Sequence, residues 1–435
     1  MNLFSKVIQT FSSKVIITFI TFVLSVLVVK LVGAEGQGLI TLFYTLFLFF
    51  STFFMLSLGS GTIFHVNKYN KATQYLSNFF FSSVLITIFV LLLFFVFQER
   101  IITNFLNNSA ENFFHLGFCL LVVFNLSKIS STLSRSLHNS LAFNGSVLLE
   151  KVFYFFIVFS FFVMDIKVGF QDIVFAFILS SLLVNIFVIF YFRNYIKLKL
   201  IDKEKIKNLL NFSLKGHLGV VVQKLNLKFD VFYLAYIFSA ETLGYYSISI
   251  YFSQILLYIP DSISVFLYPQ LSRKTDKNSA LETTLTINRI LFALLIIISI
   301  IISILAKDLI IYLYGKNFVV SYTPLLLLLI GSIFFASVKI FTKLSTSLGF
   351  PLVGTKISII GIITNIPLLI FLVPEYSIIG AALASLISYF VMYISILIWL
   401  FKKFSFIRIS DVLLLKKSDI KLCISAYSKI KTKIF

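Results

Sequence analysis

The chain has 435 residues, 59% of them hydrophobic, 17% aromatic and only 12% charged, with a mean hydropathy of +1.02. Soluble domains carry roughly 25% charged residues, so a soluble globule this poor in charge could not cover its surface, and the apolar excess equally excludes disorder. The 37 Lys and Arg against 17 Asp and Glu leave a net charge of +20; in a membrane protein such an excess marks cytoplasmic loops and calls for no nucleic acid.

A bilayer core about 30 Å thick is crossed by roughly 20 apolar residues in a helix. Such runs are predicted at 15–32, 39–64, 79–97, 113–133, 147–164 and 173–192. A polar stretch, 193–210, reads RNYIKLKLIDKEKIKNLL. Six more runs follow at 211–238, 244–269, 289–306, 324–347, 354–373 and 378–400, and a basic tail closes the chain. The prediction is an all-α integral membrane protein of about twelve spans. Its expected parts are a first lobe at 1–192, a basic linker at 193–210, a second lobe at 211–401 and a basic tail at 402–435.

Runs such as Leu291–Ile304 are apolar throughout, which a membrane barrel with its period of two would not show. The first run follows Lys6 and Lys14, and Val32-Gly33-Ala34 could pass for a cleavage site. Its length and its part in an internal repeat make it a retained helix. With the N-terminus inside, about 25 of the cations fall in inner segments and about four in outer ones, so both termini are expected in the cytoplasm. Cys119 and Cys423 and the four histidines form no disulfide framework and no metal-ligand spacing.

Two stretches of the chain match. Ala34-Glu35-Gly36-Gln37-Gly38 opens the second run, and Ala240-Glu241-Thr242-Leu243-Gly244 opens the eighth, 206 residues later. Lys68 and Lys274, which close those runs, share the same offset. Phe11-Ser12-Ser13-Lys14 is echoed by Phe212-Ser213-Leu214-Lys215. Six spans, a linker and six spans in the same orientation make a parallel repeat, whose halves are related by an axis along the membrane normal with a site between them.

These residues carry a resemblance. Val32–Leu39 followed by Leu58-Gly59-Ser60-Gly61 resembles the opening of polysaccharide export proteins of the Wzx type, within the multidrug/oligosaccharidyl-lipid/polysaccharide (MOP) superfamily. Lys228-Phe229-Asp230, Leu243-Gly244-Tyr245-Tyr246, Ile259-Pro260 and Tyr268-Pro269-Gln270-Leu271-Ser272 are similar to successive motifs of that family. So are Tyr314–Phe318 and Gly380–Ala384. The resemblance implies a MATE-like fold and a flippase for a polyprenyl-linked oligosaccharide, such as an O-antigen or capsule repeat unit, in a bacterial inner membrane. It further implies membrane lipid as a partner and association with polysaccharide polymerase machinery; with no nucleotide site visible in the sequence, a proton or sodium ion is expected to supply the coupling. The buried cations here are almost all Lys where the family often has Arg, and a Lys offers phosphate a point charge in place of a bidentate fork.

Ionisable groups within the bilayer are functional candidates by default. Treated as one helix, the seventh run places His217, Lys224 and Lys228 on one face and Lys215, Gln223, Asn226 and Asp230 on the other. Lys224 and Lys228 either line a basic cavity or pair with Asp230, Asp261 or Glu150. His217 either packs or faces the cavity, and Lys215 reaches the inner surface. Lys128, Lys151 and Lys339 complete the basic candidates, each near a span end where reaching water is the alternative. Lys151 adjoins Glu150, but adjacent helix residues do not face each other. Asp230, Asp261 and Glu150 are candidates for ion coupling, with internal salt bridges as the alternative. The 54 phenylalanines are expected to face lipid and core, and the tail from Ile407 to Lys417 reads as an amphipathic helix on anionic lipid.

No nucleophile–base pair, phosphate loop or metal set is found in the sequence, so no enzyme activity, cofactor or metal is expected. A polytopic glycosyltransferase or polymerase would call for longer outer loops bearing acids. A multidrug or cation exporter of the same superfamily would call for an acidic cavity.

Overall fold

A computed structural model of the protein describes residues 3–100, 114–272 and 276–421. Among these, regular structure is entirely helical: α1 (Leu3–Phe54), α2 (Leu58–Tyr69), α3 (Ala72–Val96), α4 (Phe114–Ser136), α5 (Ser140–Val163), α6 (Phe170–Tyr191), α7 (Lys203–Asn226), α8 (Phe229–Ile237), α9 (Ala240–Ser272), α10 (Lys277–Tyr314), α11 (Tyr322–Ser347), α12 (Leu352–Lys403) and α13 (Ile409–Leu413), with short 3₁₀ turns between some of them. Eight of these are long and apolar enough to cross a membrane: α1, α3, α4, α5, α6, α10, α11 and α12.

Two of the eight hold two spans each. α1 and α12 have 52 residues, about 78 Å if straight at 1.5 Å per residue. α1 breaks at Gly33 (φ 67°, ψ −169°) and α12 at Ser377 (φ 48°, ψ −129°). The first break reverses the chain. Phe22 meets the ring of Phe252 at 5.7 Å, while Tyr44 shares a cavity wall with Tyr251, and Phe22 and Tyr44 are equidistant from Gly33 in sequence. Splitting both hairpins, and taking α7–α8 and α9 as further segments, gives twelve helical segments in the predicted order.

The seventh run is not one helix. α7 ends at Asn226 and α8 begins at Phe229, with Lys228 at the cap in a non-helical conformation (φ −137°, ψ −2°). The single helical wheel therefore fails beyond Asn226. The second run is also interrupted, between α1 and α2, by Leu56 and Ser57 in left-handed backbone (φ 49° and 54°). α7 starts at Lys203, inside the predicted linker, because Asp202 caps it: its Oδ1 accepts the Glu204 N–H at 2.9 Å. The remaining linker is held to α3, where Asn78 donates to the Leu200 carbonyl and accepts the Asp202 N–H.

The apolar core crosses between the halves at the end opposite the basic loops. There Leu39 and Phe43 of α1 join one cluster with Val231, Leu243, Tyr246 and Ala381. At the same end the two repeat turns touch. A methyl group on Gly38 would overlap the Ala240 carbonyl oxygen, and one on Gly244 would overlap the Ala34 carbonyl oxygen. The contact is reciprocal: the last residue of each motif lies on the first residue of the other.

The tail departs from its sequence reading. Only Ile409–Leu413 is helical between Lys403 and Leu414, and Ile407 and Val412 are buried in the second half's core. The anchor is Arg289 on α10, 4% exposed. Its Nε and Nη2 donate to the two Asp419 carboxylate oxygens at 2.6 and 2.8 Å, and Nη1 donates to the Asp411 carbonyl. Phe406, Ile409, Leu414 and Ile420 remain exposed beside Arg408, Lys416, Lys417 and Lys421, a composition suited to an anionic lipid surface.

Removing Asp419 by substitution with Ala leaves a buried guanidinium without its counter-charge, a loss of about 3–5 kcal/mol. A lower unfolding temperature of the detergent-solubilised protein is the expected readout, largely restored when Arg289→Met accompanies Asp419→Leu. The Arg289 hydrogen bonds hold the Asp419 carboxyl below the usual carboxylate range. Its stabilisation is therefore complete above the unfolded value of about 4 and is lost as pH falls through the lower folded value. The wild type should lose stability below about pH 4 more steeply than the double variant. An unfolding temperature unchanged by Asp419→Ala would show that the pair does not hold the tail.

Candidate functional site

Between the halves lie two adjoining compartments that share a wall at Leu48 and Thr52. The deeper one, 160 Å³, is lined by Thr41, Tyr44, Thr45 and Thr52 of α1, Lys224 of α7, Lys228 at the cap of α8, and Ser247, Tyr251 and Gln254 of α9. Leu48 and Thr52 also border the second compartment, a 380 Å³ vestibule lined by Ser57 and Ser60 at the start of α2, by Val220, and by Ser127, Lys128, Ser131, Thr132 and Arg135 of α4. Above the deep compartment, towards the repeat turns, Gln37 donates to the Tyr251 hydroxyl at 3.0 Å. This bond lies at the turn end of the cavity, and the exposed Arg135 stands at the basic end.

The break between α7 and α8 positions the two deep lysines. Asn226 is buried against α12: it accepts from Ser388 at 3.4 Å and donates to the Met392 sulfur at 3.3 Å. Asp230 is buried too, accepting the Tyr246 hydroxyl at 2.7 Å and its neighbour's backbone N–H, that of Val231, at 2.8 Å. Asn226 and Asp230 anchor the interruption on one side, and Lys224 and Lys228 look into the cavity on the other.

Both lysines lie more than 4 Å from every carboxylate among the described residues. The three acids expected as possible partners are engaged elsewhere. Asp230 is held by Tyr246. Asp261 pairs with Lys339 at 2.7 Å, across α9 and α11. Glu150 accepts from Ser181 at 2.6 Å and lies 3.7 Å from Lys151. That last pair corrects the helix-geometry expectation: the long Lys151 side chain folds back over the Phe177 ring, at 5.0 Å, and reaches its neighbour.

The structure therefore brings together Lys224, Lys228 and Lys128. Lys128 donates to Thr52 at 3.1 Å, at the junction of the two compartments. Lys339 and Lys151 sit in ion pairs off the cavity wall, and His217 is buried against Ser57, its Nδ1 3.0 Å from the hydroxyl. Lys215 is exposed near the basic end, as expected for a side chain reaching the surface. Arg135 was not among the residues expected at the site. Its signal was present: Lys128, Ser131, Thr132 and Arg135 follow the spacing of one helix face. Among the described residues no group of three His, Cys, Asp or Glu side chains could hold a metal ion.

A family model described as "Polysaccharide biosynthesis protein" matches residues 26–323. A curated relative, uncharacterized membrane protein MJ1068 of Methanocaldococcus jannaschii, is 25% identical over 217 residues, which are 49% of this chain and 43% of that protein; the match takes in less than half of the relative's length. Among solved structures, an inward-facing multidrug resistance MATE family transporter of the MOP superfamily superposes with a TM-score of 0.77 at 11% identity, covering 89% of this chain and 94% of its own. The lipid II flippase MurJ, in an inward closed conformation, gives a TM-score of 0.72 at 18% identity, covering 98% and 93%. At these identities the likeness shows the fold, which is the all-α membrane fold of the MOP superfamily.

Proposed function

The chain belongs to the polysaccharide biosynthesis protein family, and from that premise we propose that it is a flippase for a polyprenyl-pyrophosphate-linked oligosaccharide, working by alternating access. The observation that carries this reading is the charge of the cavity. Lys128, Arg135, Lys224 and Lys228 line it, and the described lining residues include no acid. A cationic wall of low dielectric attracts an anionic headgroup. The lining hydroxyls of Thr41, Thr45, Ser247 and Tyr251 suit the hydrogen-bonding edges of sugars.

An apolar groove open to the bilayer runs between the halves beside the same helix. It is lined by Val15, Phe19 and Phe22 of α1, Ile255 and Ile259 of α9, and Ile298 of α10. A prenyl chain would stay there while the headgroup enters the cavity. The positive-inside count supports a cytoplasmic position for the basic end and for both termini, in a bacterial inner membrane. The reciprocal contact at Gly38 and Gly244 would be the outer seal, released when the two halves rock.

Coupling to a proton or sodium gradient belongs to the same reading, with Asp230 its best-placed carboxylate: buried, beside the helix break and free of an ion pair within 4 Å among the described residues. Asp261 and Glu150 are less favoured because Lys339 and Lys151 already neutralise them. The resemblance to export proteins favours an O-antigen or capsule repeat unit as cargo and polysaccharide polymerase machinery as a neighbour.

The cation-exporter reading has a structural neighbour in its favour, but the cavity has the wrong sign for it. Proteoliposomes separate the two. A fluorescent prenyl-pyrophosphoryl disaccharide should be translocated, and a lipophilic cationic dye should not; movement of the dye alone would favour the exporter.

A further inference from the structure

We propose that the vestibule is a separate docking subsite for phosphate, centred on Arg135, which takes the headgroup before it reaches Lys224 and Lys228. The inference rests on the flippase reading and adds an order of events to it.

The two compartments differ in chemistry. The deep one presents two ammonium groups. The vestibule presents an ammonium, Lys128, and a guanidinium, Arg135, two turns apart on one face of α4. Arg135 is exposed, and no carboxylate lies within 4 Å of it among the described residues. It packs on a neutral face, the ring of Phe143 at 5.9 Å. That leaves the planar fork of donors open to a phosphate, which it can bind bidentately as no lysine can.

The neighbouring groups fit the same ligand. Ser60, Ser131 and Thr132 line the vestibule around the two cations. Thr132 spends its proton on the Lys128 carbonyl at 2.8 Å, so its oxygen is left as an acceptor for a sugar hydroxyl. The first turn of α2, at Leu58–Ser60, borders this space.

Position gives the order. Arg135 stands at the end of α4, at the basic mouth, and Lys128 at the junction with the deep compartment. Lys128 donates to Thr52, which lines the deep compartment together with Lys224, so the two like charges border one junction. An anion bridging them relieves their repulsion, so Arg135, Lys128 and Lys224 form a descending series of phosphate contacts. The vestibule, at 380 Å³ against 160 Å³, is also the roomier end, as first contact with a bulky headgroup requires.

Binding of farnesyl pyrophosphate to the purified full chain in nanodiscs, with farnesol as the uncharged control, tests the proposal. Arg135→Gln should weaken farnesyl pyrophosphate by at least about tenfold and leave farnesol unchanged. Arg135→Lys should be nearly as weak, because it keeps the charge and loses the fork. Retention of the farnesol affinity separates this effect from misfolding. If the wild type binds the pyrophosphate, Lys224→Ala weakens it, and both Arg135 variants bind as the wild type does, the docking subsite is overturned and the flippase reading survives. If the wild type shows no preference for farnesyl pyrophosphate over farnesol, both fall.

Discussion

Replacing Lys224 and Lys228 together by alanine should reduce translocation of a prenyl-pyrophosphoryl saccharide by at least about a hundredfold, since a hydrogen bond to a charged group contributes about 1.5–3 kcal/mol. The protein itself should remain folded. Neither lysine has a carboxylate within 4 Å among the described residues, so the substitution breaks no ion pair; the Lys228 charge does reach the buried Asp230 at longer range. Lys339→Ala provides the contrast: it removes the partner of Asp261 at 2.7 Å and should lower the unfolding temperature. Arginine at both deep positions keeps the charge and should retain part of the activity. Translocation by the double alanine variant at the wild-type rate, with normal protein levels, would remove the deep compartment from the mechanism.

Gly38→Val and Gly244→Val should each block closure of the outer end and should do so alike. The argument is steric. Each glycine packs on a backbone carbonyl of the opposite repeat turn, and no side-chain rotation can clear the overlap. Overpacking costs about 1–3 kcal/mol, and that penalty falls only on the state in which the turns touch, so the population shifts by about 5–150-fold towards the state open at that end. A cysteine at Ser247, in protein whose Cys119 and Cys423 have been replaced by serine, should then react faster with an outside, membrane-impermeant maleimide, and transport should fail. Gly145→Ala is the control, because nothing lies within 4 Å of the position its methyl group would occupy. If both valine variants transport normally with unchanged labelling, the glycine contact is not the seal.

Much of this was legible in the sequence. Apolar runs set the spans because a helix of about 20 residues is the simplest crossing of a bilayer. The Ala-Glu-x-x-Gly repeat marked both turns, although a motif could not say that its two copies meet; the reciprocal contact of Gly38 and Gly244 shows that they do. What escaped was interruption without a breaker. Asn226-Leu227-Lys228 and Leu56-Ser57 contain neither Pro nor Gly, and their conformations are fixed by tertiary contacts such as Asn226 on Ser388 and Ser57 on His217. Charge partners escaped for the same reason. Lys339 with Asp261 and Arg289 with Asp419 are 78 and 130 residues apart, and periodicity carries no information at that range. Arg135 could have been found by extending the face of Lys128 by two turns.

Leaflet-specific quenching of a fluorescent prenyl-pyrophosphoryl disaccharide in proteoliposomes tests the central claim most directly. With the purified chain inserted, lipid-linked saccharide inaccessible to an external quencher should become accessible, and Lys224→Ala with Lys228→Ala should return the rate to that of protein-free vesicles. A wild-type rate no faster than in empty vesicles under either a proton or a sodium gradient, alongside uptake of a lipophilic cation, would contradict the account.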